Sequence, residues 1–554
     1  MDDVDIVFDE GVSPLSRQLL EGCIRRDFTQ VTRLIRQGAD PRAIGGLRVR
    51  GTTGSSPYWR YSCLCFAIDS PSNYPSLDAS GAGDPLPVVL PQWPSRELQR
   101  DIINALIDGG ADVNGSGAER FEQLPIKVAI RAGNLTAVEA LLACQANVRG
   151  VTAMELPNRL GAASSATREY EDLLISVYRR LAQHDSTLAA ERFNGVNLVH
   201  LAATPFSAFS QSFIDEYLEL ITSHGADMTA ANNRGSTPLH WAAKAGSPCV
   251  AHWLCRHLRS DDINRGLPHL PNQTPLAVAA IALDIHTERQ QQQGEWHENR
   301  SRLILEYKTI IGVLLRSGAA PSIALMPTAM ERDRRRRQLV LAEYATVLSE
   351  LSEAVMSAIN GALAAQRDHS MLLARLLPLA PHHDGAHPHP SPSNMAFGPH
   401  EAEAIAWKIG AFLHEPPAAV AAIDQYLIGE SVLRRRVKAA VGHFVKSAAT
   451  QTSSNREVVG WTRYQQQGDK RVKVTVPPLQ CFAVRGSGGQ VVHKMTGVRE
   501  VVHRARLDEA DGHGVEGVVK SFNEHLGDQD CQFAWPQLGR IDRQIGLFVP
   551  LGIE

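Results

Sequence analysis

Cys481, His493, His503, Asp508, Asp511 and His513 gather near the C-terminal end of the chain and carry the functional groups of thiol chemistry. Such chemistry needs a thiolate nucleophile, an imidazole base and an orienting carboxylate within hydrogen-bond reach of one another. Spacing along the chain does not set that reach, and Cys481 alternates with its neighbours as a residue buried in a strand would. An enzyme is the less favoured class on these grounds and no catalytic residue is assigned; Cys481, His493 and His503 are the candidates to locate in space. Arg485-Gly486-Ser487-Gly488-Gly489 has the glycine content of a phosphate loop. No Lys-Ser/Thr pair follows it, so a hairpin turn is the better account. His382, His383, His387 and His389 lie in a stretch too rich in proline to fix a metal geometry. Neither a metal site nor a cofactor is expected.

Two basic runs, Arg332-Asp333-Arg334-Arg335-Arg336-Arg337 and Leu433-Arg434-Arg435-Arg436-Val437-Lys438, have the composition of an acidic-partner patch, but solvated helix faces have it too. The chain of 554 residues sets 56 Lys and Arg against 59 Asp and Glu, a net charge of -3. That balance gives no overall drive towards nucleic acid or a membrane surface. No run of about 18 apolar residues is present to span a bilayer. The acidic start Met1-Asp2-Asp3-Val4-Asp5 is unlike a secretory signal. Eight cysteines without paired C-x-x-C spacing read as buried thiols in a reducing, cytoplasmic setting.

The elements that position these side chains are mostly helices. Ser236-Thr237-Pro238-Leu239-His240-Trp241-Ala242-Ala243-Lys244-Ala245-Gly246 opens with a Thr cap and a Pro at the first helical position, where its missing N–H costs nothing. Gly246 permits the left-handed turn that ends the helix. A second helix, Val250 to Leu258, follows, and the pair cannot bury both faces without neighbours. Leu124-Pro125-Ile126-Lys127, Val199-His200-Leu201-Ala202-Ala203 and Gln273-Thr274-Pro275-Leu276 open comparable pairs. Gly38-Ala39-Asp40-Pro41, Gly110-Ala111-Asp112-Val113-Asn114, Gly225-Ala226-Asp227 and Gly318-Ala319-Ala320-Pro321 close them.

These residues resemble the ankyrin repeat, whose signature is T-P-L-H-x-A, and about seven units are counted on it, with Met154 to Leu188 the weakest. The resemblance implies a mainly α chain: an ankyrin-like helical solenoid over residues 15–322, with insertions at 69–94 and 284–300. A helical cap at 323–377 and a Pro/His-rich linker at 378–399 follow. A helical segment at 400–450 leads to a small α+β domain at 455–554, with strands expected at 471–476, 480–484, 490–493, 498–505 and 546–549. It also implies a protein partner held on a concave face, with Asn114, Arg149, Asn232, Asn233 and Arg234 as contact residues. His200 and His240 take a structural role in such a fold. Tyr74 and Trp93, near the ends of the first insertion, are read as exposed aromatics that add to the contact set. A bacterial effector whose repeats select a host target, with the host cytoplasm as its place of action, and an adaptor joining two proteins are the alternatives. Oligomeric state and partner identity are not legible.

Overall fold

The computed structural model describes residues 4–8, 11–52, 59–81, 85–115, 120–157, 166–204, 209–293, 298–379, 399–413, 415–450, 462–468, 470–475, 480–486, 494–518, 531–542 and 545–553. The chain divides into two compact units, Met1–Leu254 and Cys255–Glu554. Both are mainly helical, with a few small antiparallel sheets.

In the first unit, strand β1 (Val4–Phe8) precedes helices α1 (Pro14–Arg25) and α2 (Phe28–Arg36). Strands β2 (Ile44–Val49) and β3 (Arg60–Ser62) complete a sheet in the order β1-β2-β3. Helix α3 (Cys63–Ala67) leads to a hairpin of β4 (Leu77–Ala79) and β5 (Leu86–Val88). Helices α4 (Arg96–Asp108), α5 (Pro125–Arg131), α6 (Leu135–Ala143) and α7 (Arg168–His184) follow. A short ribbon of β6 (Arg192–Phe193) and β7 (Val196–Asn197) comes next, then α8 (Leu198–Ala202), α9 (Gln211–Ser223), α10 (Pro238–Ala245) and α11 (Pro248–His257), whose last residues, from Cys255, count with the second unit.

Local sequence explains these boundaries. Ser13, Asp27, Ser95, Asn134, Thr167 and Ser210 each accept a backbone N–H of the first turn they precede, which satisfies one of the donors a helix start leaves open. Short helices α5, α8 and α10 expose Ala and other small side chains to their neighbours, and Ala129, Ala202, Ala242 and Ala243 are buried.

The second unit continues with α12 (Ser260–Ile263), α13 (Pro275–Gln293), α14 (Glu298–Arg316) and α15 (Pro321–Leu325). Helix α16 (Glu331–Leu376) is one unbroken element, with Val340, Tyr344, Val347, Leu348, Leu351, Val355 and Ile359 buried along one stripe. Helices α17 (Pro399–Gly410), α18 (Pro416–Tyr426) and α19 (Val432–Thr450) pack with it. Strands β8 (Thr462–Gln467) and β9 (Lys470–Thr475) pair only with each other among the described residues. Strands β10 (Gln480–Val484), β11 (Lys494–Gly497), β12 (Leu538–Ile541) and β13 (Phe548–Pro550) form a sheet in the order β11-β10-β12-β13, and helix α20 (Val498–His513) sits between β11 and β12 in sequence.

One expectation changes here. Residues 498–505 are helix, not strand: Val498, Val501, Val502 and Ala505 recur at helical spacing and all are buried. The glutamine run up to Gln293 continues α13 as added helical turns, within the insertion expected at 284–300. The 490–493 strand lies outside the described residues, as does the Pro/His stretch from 380 to 398.

Candidate functional site

The recurring closures are built alike. The N–H groups of Ala39, Ala111, Ala146, Ala226 and Ala319 reach back to the carbonyls of Leu34, Leu106, Leu141, Ile221 and Leu314 at 2.9–3.0 Å. This is the wrap that follows a left-handed residue at a helix end, and Gly38, Gly110, Gly225 and Gly318 have φ of 87°, 103°, 98° and 93°. Gln145 fills the same role at φ 62°. The next side chain then folds the finger turn: Asp40, Asp112, Asn147 and Asp227 accept the N–H of Arg42, Asn114, Arg149 and Thr229 at 2.8–3.0 Å.

Neighbouring fingers are cross-linked in the first unit. Arg42 Nε donates to the Gly110 carbonyl at 3.0 Å, and the Asn147 N–H donates to Asn114 Oδ1 at 2.7 Å. Arg149 reaches Thr187 Oγ1 at 2.8 Å and Asp185 at 2.5 Å. Arg192 pairs with Asp227 at 3.1 Å. Asn114 and Arg149 therefore spend polar capacity on joining turns. Asn232 holds its own turn, accepting from Arg234 N at 2.9 Å and Ser236 N at 3.1 Å. Asn233 and Arg234 point their side chains to solvent.

A residue that sequence reasoning missed stands beside them. Phe193 is 75% exposed at the tip of the β6–β7 ribbon, where Asn194 and Gly195 adopt φ of 52° and 77°. Asn-Gly with both φ positive is the favoured two-residue hairpin turn, so the signal was present as Phe193-Asn194-Gly195-Val196. A Cβ on Gly195 would lie 2.8 Å from Asn232 Cα, and the Asn233 N–H donates to the Asn194 carbonyl at 3.3 Å. The two fingers touch, which brings Phe193, Asn233 and Arg234 onto one continuous edge. Phe121, just ahead of α5, is also exposed.

The signature histidines are structural. His240 Nδ1 lies 2.8 Å from Thr237 Oγ1 in a reciprocal cap. His200 makes the same cap with Asn197 and places Nε2 3.1 Å from the Ser236 carbonyl. Burial holds the His200 imidazole below its ordinary pKa, so it stays neutral. Lys127 stands at the equivalent point of Leu124-Pro125-Ile126-Lys127 and donates Nζ to the Thr152 carbonyl at 2.9 Å; burial lowers its pKa, with Glu155 opposing.

Tyr74 and Trp93 are not exposed: they are 7% and 4% accessible, a correction with a clear cause. The described residues of 69–94 fold inward around buried polar groups. Asp69 Oδ1 accepts from Arg96 Nη1, Gln99 Nε2 and Asn134 Nδ2 at 2.7, 3.0 and 2.8 Å, and Oδ2 accepts the Trp93 N–H at 2.7 Å. The Trp93 indole donates to the Ala67 carbonyl at 2.7 Å. Tyr74 stacks on Tyr170 with centroids 3.8 Å apart. Asp78 and Arg131 form a bidentate buried pair at 3.1 and 2.6 Å. The rings are consumed by the core and leave nothing for a partner to contact.

In the second unit, the thiol candidates do not form a described centre. Cys481 lies in β10 with its side chain outside the described residues, as is the whole of His493. His503 is buried on α20. Asp508 is committed to structure, accepting from the Trp535 indole at 2.7 Å and pairing with Arg504 at 2.9 Å and Arg436 at 3.3 Å. His513 faces Glu509, which also takes the Tyr344 hydroxyl. Elsewhere burial pushes the Cys23 and Cys255 thiols up to about 12 and Cys65 to about 11, so each is held as an inert thiol. Both basic runs are largely paired within the unit: Arg335 and Arg336 clamp the buried Asp284 at 2.6 and 3.0 Å. Arg434 and Lys438 hold Asp424 at 2.9 and 2.8 Å. Among the described residues no group of three or more His, Cys, Asp or Glu is placed to hold a metal ion, and no helix is long and apolar enough to cross a membrane.

Capped helix pairs joined by cross-linked finger turns recur through the first unit. The sequence model of the ankyrin repeat matches residues 234–265, from the Arg234 turn through α10, α11 and α12. That match lies mid-chain, so the family is recognised in one repeat rather than along the N-terminal half as a whole. A search of the curated proteins finds no match.

Proposed function

We propose that this chain binds a protein partner along the finger edge of its first unit, with Phe193, Asn233 and Arg234 at the centre of the contact. The observation that carries this is the exposed phenyl ring of Phe193 on a hairpin locked against the next finger. A rigid aromatic loses little ordering entropy on docking and is the kind of side chain that dominates interface energy. Arg234 adds a guanidinium beside it that makes no ion pair among the described residues. The matched repeat supports the class of function, and the closures at Gly38, Gly110, Gly225 and Gly318 support extending an array of such units over residues 15–322.

The test is cross-linked affinity capture with the full chain, read by mass spectrometry, comparing wild type with Phe193→Ala and Asn233→Ala/Arg234→Ala. The principal captured protein should be depleted by at least about tenfold in Phe193→Ala, the scale of a hot-spot loss, while the melting temperature stays put. Unchanged capture by both variants would move the binding surface elsewhere.

A further inference from the structure

In the first unit, the first two finger turns and one face of the β2–β3 pair line a single cleft of about 740 Å³. Strand register fixes its floor. Ile44 pairs with Ser62 and Gly46 with Arg60, so the side chains of Ile44, Arg60 and Ser62 project from the same face. The opposite face carries Leu47 and Tyr61, which are 0% and 1% accessible, and belongs to the core. The second finger supplies Asp112 and Val113, and Arg42 enters from the first. Arg42 is positioned by the bond from its Nε to the Gly110 carbonyl at 3.0 Å. That bond leaves Nη1 and Nη2 of the guanidinium for a ligand. Asp112 accepts the Asn114 N–H of its own turn at 2.9 Å. Two guanidinium groups against one carboxylate give the described lining an excess of positive charge.

We propose that this cleft holds an acidic peptide segment of a protein partner. Arg42 and Arg60 take a glutamate or aspartate carboxylate, and a neighbouring aliphatic side chain sets against Ile44 and Val113. The planar fork of an arginine suits a carboxylate, which it meets through two parallel N–H bonds. Ile44 and Val113 call for hydrocarbon beside the charge, which a peptide supplies in its adjacent residues and a free phosphate does not. Asp112 in the same lining repels a phosphate dianion about twice as strongly as a carboxylate. No aromatic side chain is among the described lining residues, so none is there to stack a nucleobase. The volume lies within the range of ligand pockets, about 300–1,000 Å³. The inference rests on the reading of the chain as a protein binder, but not on the edge formed by Phe193, Asn233 and Arg234.

The probe is a fluorescein-labelled octapeptide alternating glutamate with leucine, titrated with the full chain and read by fluorescence anisotropy. Binding should weaken with added salt, and glutamine in place of glutamate should weaken it about tenfold or more. Val113→Glu adds a carboxylate to the lining while keeping both arginines, and should reduce affinity on the same scale. Val113→Leu should preserve affinity, and Arg60→Ala should narrow the difference between the glutamate and glutamine peptides. Val113 is half-buried, so the melting temperatures of both its variants should match wild type. Phe193→Ala should leave probe affinity unchanged: partner capture lost with probe binding retained, or the reverse, identifies which surface has failed. No binding of the glutamate probe, equal binding of the glutamine peptide, or equal binding by Val113→Glu overturns the proposal. An ATP titration that saturates in wild type and fails in Val113→Glu also overturns it, by assigning the cleft to a phosphate ligand.

Discussion

The polar cluster around Asp69 and the ladder of finger turns through Asn114 and Arg149 use the same chemistry at opposite degrees of burial. Both set carboxylates or amides to accept from backbone and side-chain donors. The ladder does so at the surface, where water competes for every bond and each link adds little. The Asp69 cluster does so out of water, where an unmet donor is costly and the bonds must all be made together. Surface links can repeat with variation, so they leave a legible pattern. A buried cluster is built once, from residues far apart in sequence, and leaves none.

The largest effect should come from breaking the buried side. Asp69→Ala removes the acceptor shared by Arg96, Gln99, Asn134 and the Trp93 N–H. Stranding one charge and three polar donors should cost about 3–5 kcal/mol. Urea unfolding of the full chain would register it as a lower midpoint at unchanged slope. A loss no larger than that of an exposed finger substitution would mean that the two constructions do not differ as burial requires.

The junction between β6–β7 and the next finger lies between these extremes. Gly195 sits at φ 77° with Asn232 Cα 2.8 Å from where a Cβ would be. Gly195→Ala adds left-handed strain to a backbone clash that only movement of the neighbouring finger relieves. We expect a loss of about 1–3 kcal/mol in thermal or urea unfolding. Capture of the partner should fall as well, since Phe193 and Asn233 would no longer hold their spacing. A stable variant with intact capture would show that the fingers are independent.

What could be read from sequence follows the same division. Thr237-Pro238-Leu239-His240 and the Gly-Ala-Asp closures were legible because each residue answers a local demand: a cap, a first-turn φ, a left-handed C-terminus. Residues 69–94 were misjudged because Pro, Ser, Gly and Asp have the composition of a surface loop. Only the folded chain reveals that Asp69 and Asp78 have buried partners 65 and 53 residues away, in Asn134 and Arg131. Residues 498–505 were misjudged for a different reason. The pair Val501-Val502 has the β-branched character of a strand, and the helical spacing of Val498, Val501, Val502 and Ala505 had to outweigh it. Phe193 was passed over because a lone aromatic carries no motif, although the Asn194-Gly195 turn beside it did.

The smallest effect should belong to the exposed end of the comparison. Arg149 bridges to Asp185 at 2.5 Å and to Thr187 at 2.8 Å, yet its side chain stays mostly in solvent. Asp185 is held below the usual carboxylate pKa chiefly by the hydroxyl and N–H of Thr187, with Arg149 a lesser contributor. The turn should therefore keep its shape without the arginine. A double-mutant cycle of Arg149→Ala and Asp185→Ala should return a coupling of no more than about 1 kcal/mol, and that value should shrink as salt is added. A coupling as large as the Asp69 loss, or one that salt leaves untouched, would place the finger ladder among the interactions that hold the unit together.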